Sequence, residues 1–126
     1  FAGTPYAGRA ALFAAKANYQ ANDAKSAKAQ LDWAIKNAKE TSVSALASLQ
    51  LANILAEEKD FEGALKLLNA PHDAGFDGLF ADLKGDVLVS LGKSAEAKTA
   101  YQEALSKLDP QGKFRALTQQ KLESLG

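Results

Sequence analysis

Three times along this chain a small residue is followed twelve positions later by another small residue, and four positions after that by a large one. The sets are Ala15–Ala27–Leu31, Ala52–Ala64–Leu68 and Gly85–Ala97–Tyr101. Their middle members lie 37 and 33 residues apart. Five residues before each middle member comes a turn position, occupied by Asn22, Lys59 or Gly92, and three before it come Ala24, Phe61 and Ser94. Repetition at this period is the mark of stacked supersecondary units, each of which buries its apolar face against its neighbours. Small residues on both sides of a turn let two helices cross closely, and the large residue one turn further on packs the second helix onto the first.

The residues between these landmarks are helical. Alanine, the strongest helix former, makes up about one residue in five. Valine and isoleucine are scarce and no sustained two-residue alternation occurs, which argues against strands. Pro5, Pro71 and Pro110 fall at element ends. Apolar spacing predicts a first helix over about 5–20, with Leu12, Phe13, Lys16 and Tyr19 at helical intervals. The second reaches about 39, carrying Leu31, Ile35 and Ala38 on one stripe. Helices over about 43–57 and from Asp60 to before Pro71 come next, with Thr41, Ser42 and Asp60 as candidate caps. After the loop HDAGF, helices are expected over about 77–91, 94–108 and 113–125. The predicted fold is all-α, a solenoid of three helix pairs plus a C-terminal capping helix. It forms one domain over 1–126, with repeats at about 5–40, 43–71 and 77–109 and a cap at 113–125. Phe114, Leu117 and Leu122 of the cap need burial somewhere.

Composition removes several functions. Basic and acidic side chains number 15 each, so the chain lacks the positive footprint of a nucleic-acid binder. Charge is unevenly placed: residues 1–40 carry six basic and three acidic groups, residues 41–92 three and eight, residues 93–126 six and four. There is no cysteine, hence no disulfide, thiolate nucleophile or thiolate metal site. No apolar run is long enough for a membrane span. The chain starts at Phe1 and contains no methionine, so it reads as a fragment or a processed form, with any targeting or anchoring segment expected upstream.

The repeat resembles the tetratricopeptide repeat. The copy from Phe80 to Pro110 fits best, through Gly85, Gly92, Ala97, Tyr101, Ala104, Leu105 and Asp109-Pro110. The copy through Ala52, Phe61, Ala64 and Leu68 is next, and the first is weakest, because Ala24 stands where a bulky residue is usual. More specifically, the chain is similar to the periplasmic domain of the ancillary Sec translocon subunit family (YfgM-like). The segments that carry this are TPYAGRAALFAAK, SAKAQLDWAIKNAK, SALASLQLANILAEEKDFEGALKLL, FADLKGDVLVSLGKSAEAKTAYQEAL and the closing QQKLESLG. That resemblance implies a non-enzymatic adaptor on the periplasmic side of the bacterial inner membrane, tethered by an upstream span. Its implied protein partners are the Sec translocon, a membrane-anchored chaperone of the prolyl-isomerase type, and exported clients. The alternative is a tetratricopeptide scaffold of another multiprotein assembly.

Residues suited to chemistry are few. His72 is the sole histidine and lies near Asp73 and Asp77, which invites a metal or general-base role, but a polar loop after Pro71 accounts for it. Asp82 and Asp86 sit four apart on one helix face, more suited to an acidic groove wall than to acid–base work. Gly92-Lys93-Ser94 has the letters of a phosphate loop, yet Gly85 is seven residues back and DVLVSL between them is helical. Gly85 therefore reads as a close helix crossing and Gly92 as a left-handed turn. No catalytic residue, metal site or cofactor is expected. Binding is the expected function, on the surface lined by the first helix of each pair. Carrying over the usual inward-facing positions of the repeat gives Arg9, Lys16, Tyr19 and Gln20, then Leu49, Asn53, Ala56 and Glu57, then Asp82, Asp86 and Ser90. This implies a groove running from basic to acidic, with Tyr19 as an anchor, unless the last helix partly fills it. The positions that clamp a terminal carboxylate in some tetratricopeptide domains hold Leu12, Lys16, Leu79 and Leu83, of which only Lys16 suits, so a C-terminal acidic tail is disfavoured.

Overall fold

Three left-handed residues steer the chain. Asn22, Lys59 and Gly92 have φ of 69°, 67° and 76°, the same turn position in each repeat. In each turn this residue's N–H bonds to the carbonyl three residues back, Tyr19, Ala56 or Val89. The next N–H, from Asp23, Asp60 or Lys93, bonds to the carbonyl five back, at Asn18, Leu55 or Leu88. This pair of bonds closes the last carbonyls of a helix and reverses the chain.

The structure, a computed structural model, describes residues 6–126. Pro5 and the Thr-Pro that opens the first resemblance segment lie outside that range. Among the described residues the elements are α1 (Tyr6–Gln20), α2 (Ala24–Asn37), α3 (Thr41–Glu57), α4 (Phe61–Leu68), a single 3-10 turn (Ala74–Phe76), α5 (Asp77–Ser90), α6 (Ser94–Lys107) and α7 (Lys113–Ser124). The all-α repeat solenoid of three pairs and a final helix, read from the sequence, is the architecture found.

Two of the second helices start under an aspartate. Asp23 accepts from the Ser26 N–H at 3.1 Å and Asp60 from the Gly63 N–H at 3.0 Å, which occupies a donor the helix leaves free. The bonds to Ser26 hold the Asp23 carboxyl below its ordinary pKa. Lys93 stands in the same place before α6 and offers no such bond. Thr41 does not cap α3 as its position suggested. It falls inside the first helical turn, and its hydroxyl donates to Asp73 at 2.8 Å, tying α3 to the connection before α5. The Gly75 N–H, then the Thr41 hydroxyl, lower the Asp73 pKa.

The repeat positions form the packing. Ala27, Ala64 and Ala97 are wholly buried, and Ala15, Ala52 and Gly85 on the first helices of the pairs are buried too. A first core cluster gathers Ala15, Ala27, Leu31, Ala34, Ala47, Leu51 and Ile54, joining pair one to α3. A second gathers Ala45, Ala52, Ala64, Leu68, Phe80 and Val87, joining pair two to α5. A third, with Leu88, Ala97, Ala100 and Tyr101, receives Leu122 of α7 and Leu125 just past its end. Each of α1 to α6 thus buries one face within its pair and, through one or other member, the pair packs on the next unit.

Candidate functional site

Contacts between helices define an inner layer. α1 meets α3 and α3 meets α5, whereas α2 and α4, or α4 and α6, make no comparable contact. The first helices are therefore the closely spaced side of the stack, and their free faces form its inner surface.

Among the described residues, every strongly exposed large apolar side chain lies on α1, α3, α5 or α7. Tyr6 is 69% exposed, Phe13 77%, Leu46 38%, Val89 41%, Phe114 57% and Leu117 51%. None lies on α2, α4 or α6. Scattered apolar exposure is ordinary, but confinement to one set of helices marks a surface kept free for contact.

Part of the expected groove comes together. Lys16, Tyr19, Gln20 and Asn53 line one cleft of about 350 Å³, joined by Gln50, over a floor that includes Ala15, Leu31 and Ile54. The Tyr19 hydroxyl donates to the Glu57 carboxylate. That bond, then burial, raises the Tyr19 pKa. Tyr19 and Glu57 also line an adjoining polar cleft with Asn22 and Glu58. Arg9 stands apart from this cleft, donating to Glu40 at 2.7 Å, and the bond to Glu40 raises its pKa. Leu49 and Ala56 are half-buried against the second core cluster.

Asp82 and Asp86 are covered by the last helix. Lys121 Nζ lies 3.1 Å from a carboxylate oxygen of each. Thr118, wholly buried, donates to Asp82 at 2.6 Å, and the Tyr101 hydroxyl donates to Asp86 at 2.7 Å. Burial alone would lower the Lys121 pKa, but hydrogen bonds and charge from Asp82 and Asp86 outweigh it and leave it raised. Burial first, then the bond to Asp86, raises that of Tyr101. Ser90 donates to the Asp86 backbone carbonyl at 3.3 Å. The basic-to-acidic groove expected from sequence thus lacks an open acidic end at the third pair, because α7 supplies a cation there.

The exposure of Tyr6 and Phe13 did not stand out in the sequence. Tyr6 and Phe13 are seven residues apart, so they share one face of α1, off the face that buries Ala7, Gly8 and Ala15. That spacing was the available signal. Of the three α7 residues expected to need burial, only Leu122 packs on the core. The strip that packs on the core runs from buried Thr118 to half-buried Leu122 and on to Leu125 just past the helix; Leu117 is turned off that line and Phe114 lies a turn before it begins.

His72 is held as a structural residue. Its ring stacks on Phe80 with centroids 3.7 Å apart, Nε2 lies 2.7 Å from Asp77 and Nδ1 3.0 Å from the Ala70 carbonyl. Among the described residues no three histidine or carboxylate groups gather to hold a metal ion, and no helix is long and apolar enough to cross a membrane.

A family model described as a tetratricopeptide repeat-like domain matches residues 1–126. The chain belongs to that family. Two relatives, each named ancillary SecYEG translocon subunit, are similar to this tetratricopeptide repeat-like chain. The protein of Neisseria gonorrhoeae is 36% identical over 119 residues, covering 94% of this chain and 57% of the relative. That of Escherichia coli is 29% identical over 120 residues, covering 95% and 58%. The chain therefore spans less than two thirds of the length of the curated relatives it matches. No solved structure matches it.

Proposed function

We propose that the chain is a non-catalytic, Sec-associated protein-interaction module whose inner face docks protein partners. The observation that carries this reading is the confinement of exposed large apolar side chains to α1, α3, α5 and α7. Such side chains bind by removing apolar surface from water, and several of them on the first helices of a stack and the last helix suit an extended or helical segment of another protein. The names of the two relatives supply the association with the translocon. The resemblance of the linked segments supplies the rest: a position on the periplasmic side of the inner membrane, and a role in passing exported chains to a membrane-anchored chaperone.

The test is photo-crosslinking in cells, with a probe placed at Phe13, Leu46 or Leu117 and, as outer-face controls, at Lys98 or Gln102 of α6. The inner positions are expected to capture subunits of the Sec translocon or an exported chain, and the controls are not. Equal capture from both faces, or capture from the outer face alone, would remove the inner face from the binding role.

A further inference from the structure

One interface recurs along the stack, and α1 carries one side of it uncovered. The register that aligns Ala15 with Ala52 also aligns Tyr6, Ala10, Ala14 and Ala17 of α1 with Val43, Ala47, Leu51 and Ile54 of α3. Those four residues form one stripe of α3 and are 5%, 0%, 7% and 5% exposed. Ala47, Leu51 and Ile54 gather with Ala27, Leu31 and Ala34 of the preceding pair. Val43 packs there too, since a Cβ built on Gly8 would stand 3.1 Å from its Cγ1. The third unit repeats the arrangement: Phe80 and Val87 of α5, at the places of Ala10 and Ala17, are 3% and 1% exposed and gather with Ala64 and Leu68. On α1 the same stripe is open. Tyr6 is 69% exposed, Ala10 and Ala17 are exposed and Ala14 is half-buried. No polar side chain interrupts it, whereas a helix that closes a repeat array turns a polar face to water. Phe13 lies off this stripe: its counterpart Gln50 is exposed and lines the cleft between α1 and α3, so Phe13 belongs to the inner surface.

We infer that the face formed by Tyr6, Ala10, Ala14 and Ala17 docks a further helix pair of the same repeat, supplied by residues of the full-length protein that precede Phe1. Two observations choose this occupant. The face continues an interface that the molecule already builds twice, between pair one and α3 and between pair two and α5. More than two fifths of each curated relative lies outside the region matched here, which is more chain than one unit of 33 to 37 residues needs. The chemistry of the added helix follows from volume. Ala14 and Ala17 are smaller than Leu51 and Ile54, so the side chains that cover them must be larger than the Ala27 and Ala34 that help cover α3. This inference is independent of partner docking on the inner surface.

The chain has no cysteine, so single introduced thiols report each face. Ala10→Cys and Ala17→Cys, with Phe13→Cys and Gln102→Cys as controls, are placed in the 126-residue chain and in the full-length protein, any cysteine of the longer form having been replaced by serine. Maleimide labelling rates are then compared. Ala10→Cys and Ala17→Cys are expected to label about tenfold or more slowly in the full-length protein than in the 126-residue chain, with the controls unchanged. Ala17→Glu should lower the melting temperature of the full-length protein and leave that of the 126-residue chain where it was. Equal labelling in both forms, or an equal melting shift in both, overturns the inference. Protection that grows with protein concentration assigns the face to a second copy, and protection lost on purification assigns it to another protein; either result overturns it too. None of these outcomes touches the inner-face reading, which the crosslinks from Leu46 and Leu117 decide separately.

Discussion

Tyr101 of α6 lies directly across Gly85 of α5. A Cβ built on Gly85 would stand 2.5 Å from Tyr101 Cδ1 and 2.9 Å from Cζ. The ring has no room to yield, being 3% exposed and bonded through its hydroxyl to Asp86. The other two pairs place Ala15 with Leu31 and Ala52 with Leu68 in the same register. A small residue faces a large one throughout, and the smallest faces the largest. Gly85→Ala should therefore destabilise the fold by about 1–3 kcal/mol through overpacking, against a gain of about 1 kcal/mol in helix propensity. Adding Tyr101→Leu recreates the pairing of the first two repeats and should recover at least about 1 kcal/mol relative to additive behaviour. Urea unfolding of the two single variants and the double one measures this. Strictly additive effects would mean that the two residues are not the coupled pair described.

The left-handed turns differ in their residues, and the difference should be measurable. Gly92 adopts positive φ without steric cost, whereas Lys59 carries a Cβ in the same conformation. Lys59→Gly should stabilise by about 0.5–1 kcal/mol. Gly92→Ala should destabilise by about 1 kcal/mol, although nothing lies within 4 Å of the added atom. Opposite shifts in melting temperature are expected; shifts of the same sign would contradict the backbone explanation.

α7 is attached by a few polar bonds and a short apolar strip. Thr118→Val removes the hydroxyl that donates to Asp82, whose side chain is only 16% exposed. The cost should be about 1–2 kcal/mol, because a largely desolvated carboxylate loses a donor. Lys121→Met should cost less, about 0.5–1 kcal/mol, as that side chain is 37% exposed and its charge partly screened. Hydrogen exchange should quicken in the amides of α7 before those of α1 to α4. Uniform quickening along the chain would show that the last helix is not a separately attached unit.

Alkaline pH should loosen the same end of the molecule. Tyr101 and Lys121 both have pKa values raised above the ordinary 10.0 and 10.5. A group whose pKa is higher in the folded state contributes stability that is complete below its unfolded pKa and lost as pH rises through the folded one. Stability should thus hold through neutrality and fall from about pH 10 upward. In the Tyr101→Phe, Lys121→Met double variant the alkaline fall should be shallower. Melting temperature against pH for both proteins checks this, and parallel curves would rule the network out as the cause.

The repeat was legible because it is local. Ala27, Ala64 and Ala97 must be small wherever two helices cross closely, and Asn22, Lys59 and Gly92 mark turns that neighbouring residues alone can close. Thr41 was less legible: a threonine before a helical run suggests a cap, and only the arrival of Asp73 from the next connection gives its hydroxyl another partner.

The candidate surface shows where local information stops. Sequence by itself determined the helices, their turns and the crossing within each pair, because those depend on side chains a few positions apart. Tertiary structure alone decided that Asp82 and Asp86 lie under Lys121, 39 and 35 residues away, and not in open solvent. It alone decided that Phe13 and Leu117 stay exposed while Leu31 and Leu122 pack on the core. Helical spacing tells which residues share a face. Whether that face meets water or another helix depends on how successive pairs stack, and stacking is fixed by contacts between residues far apart in the chain.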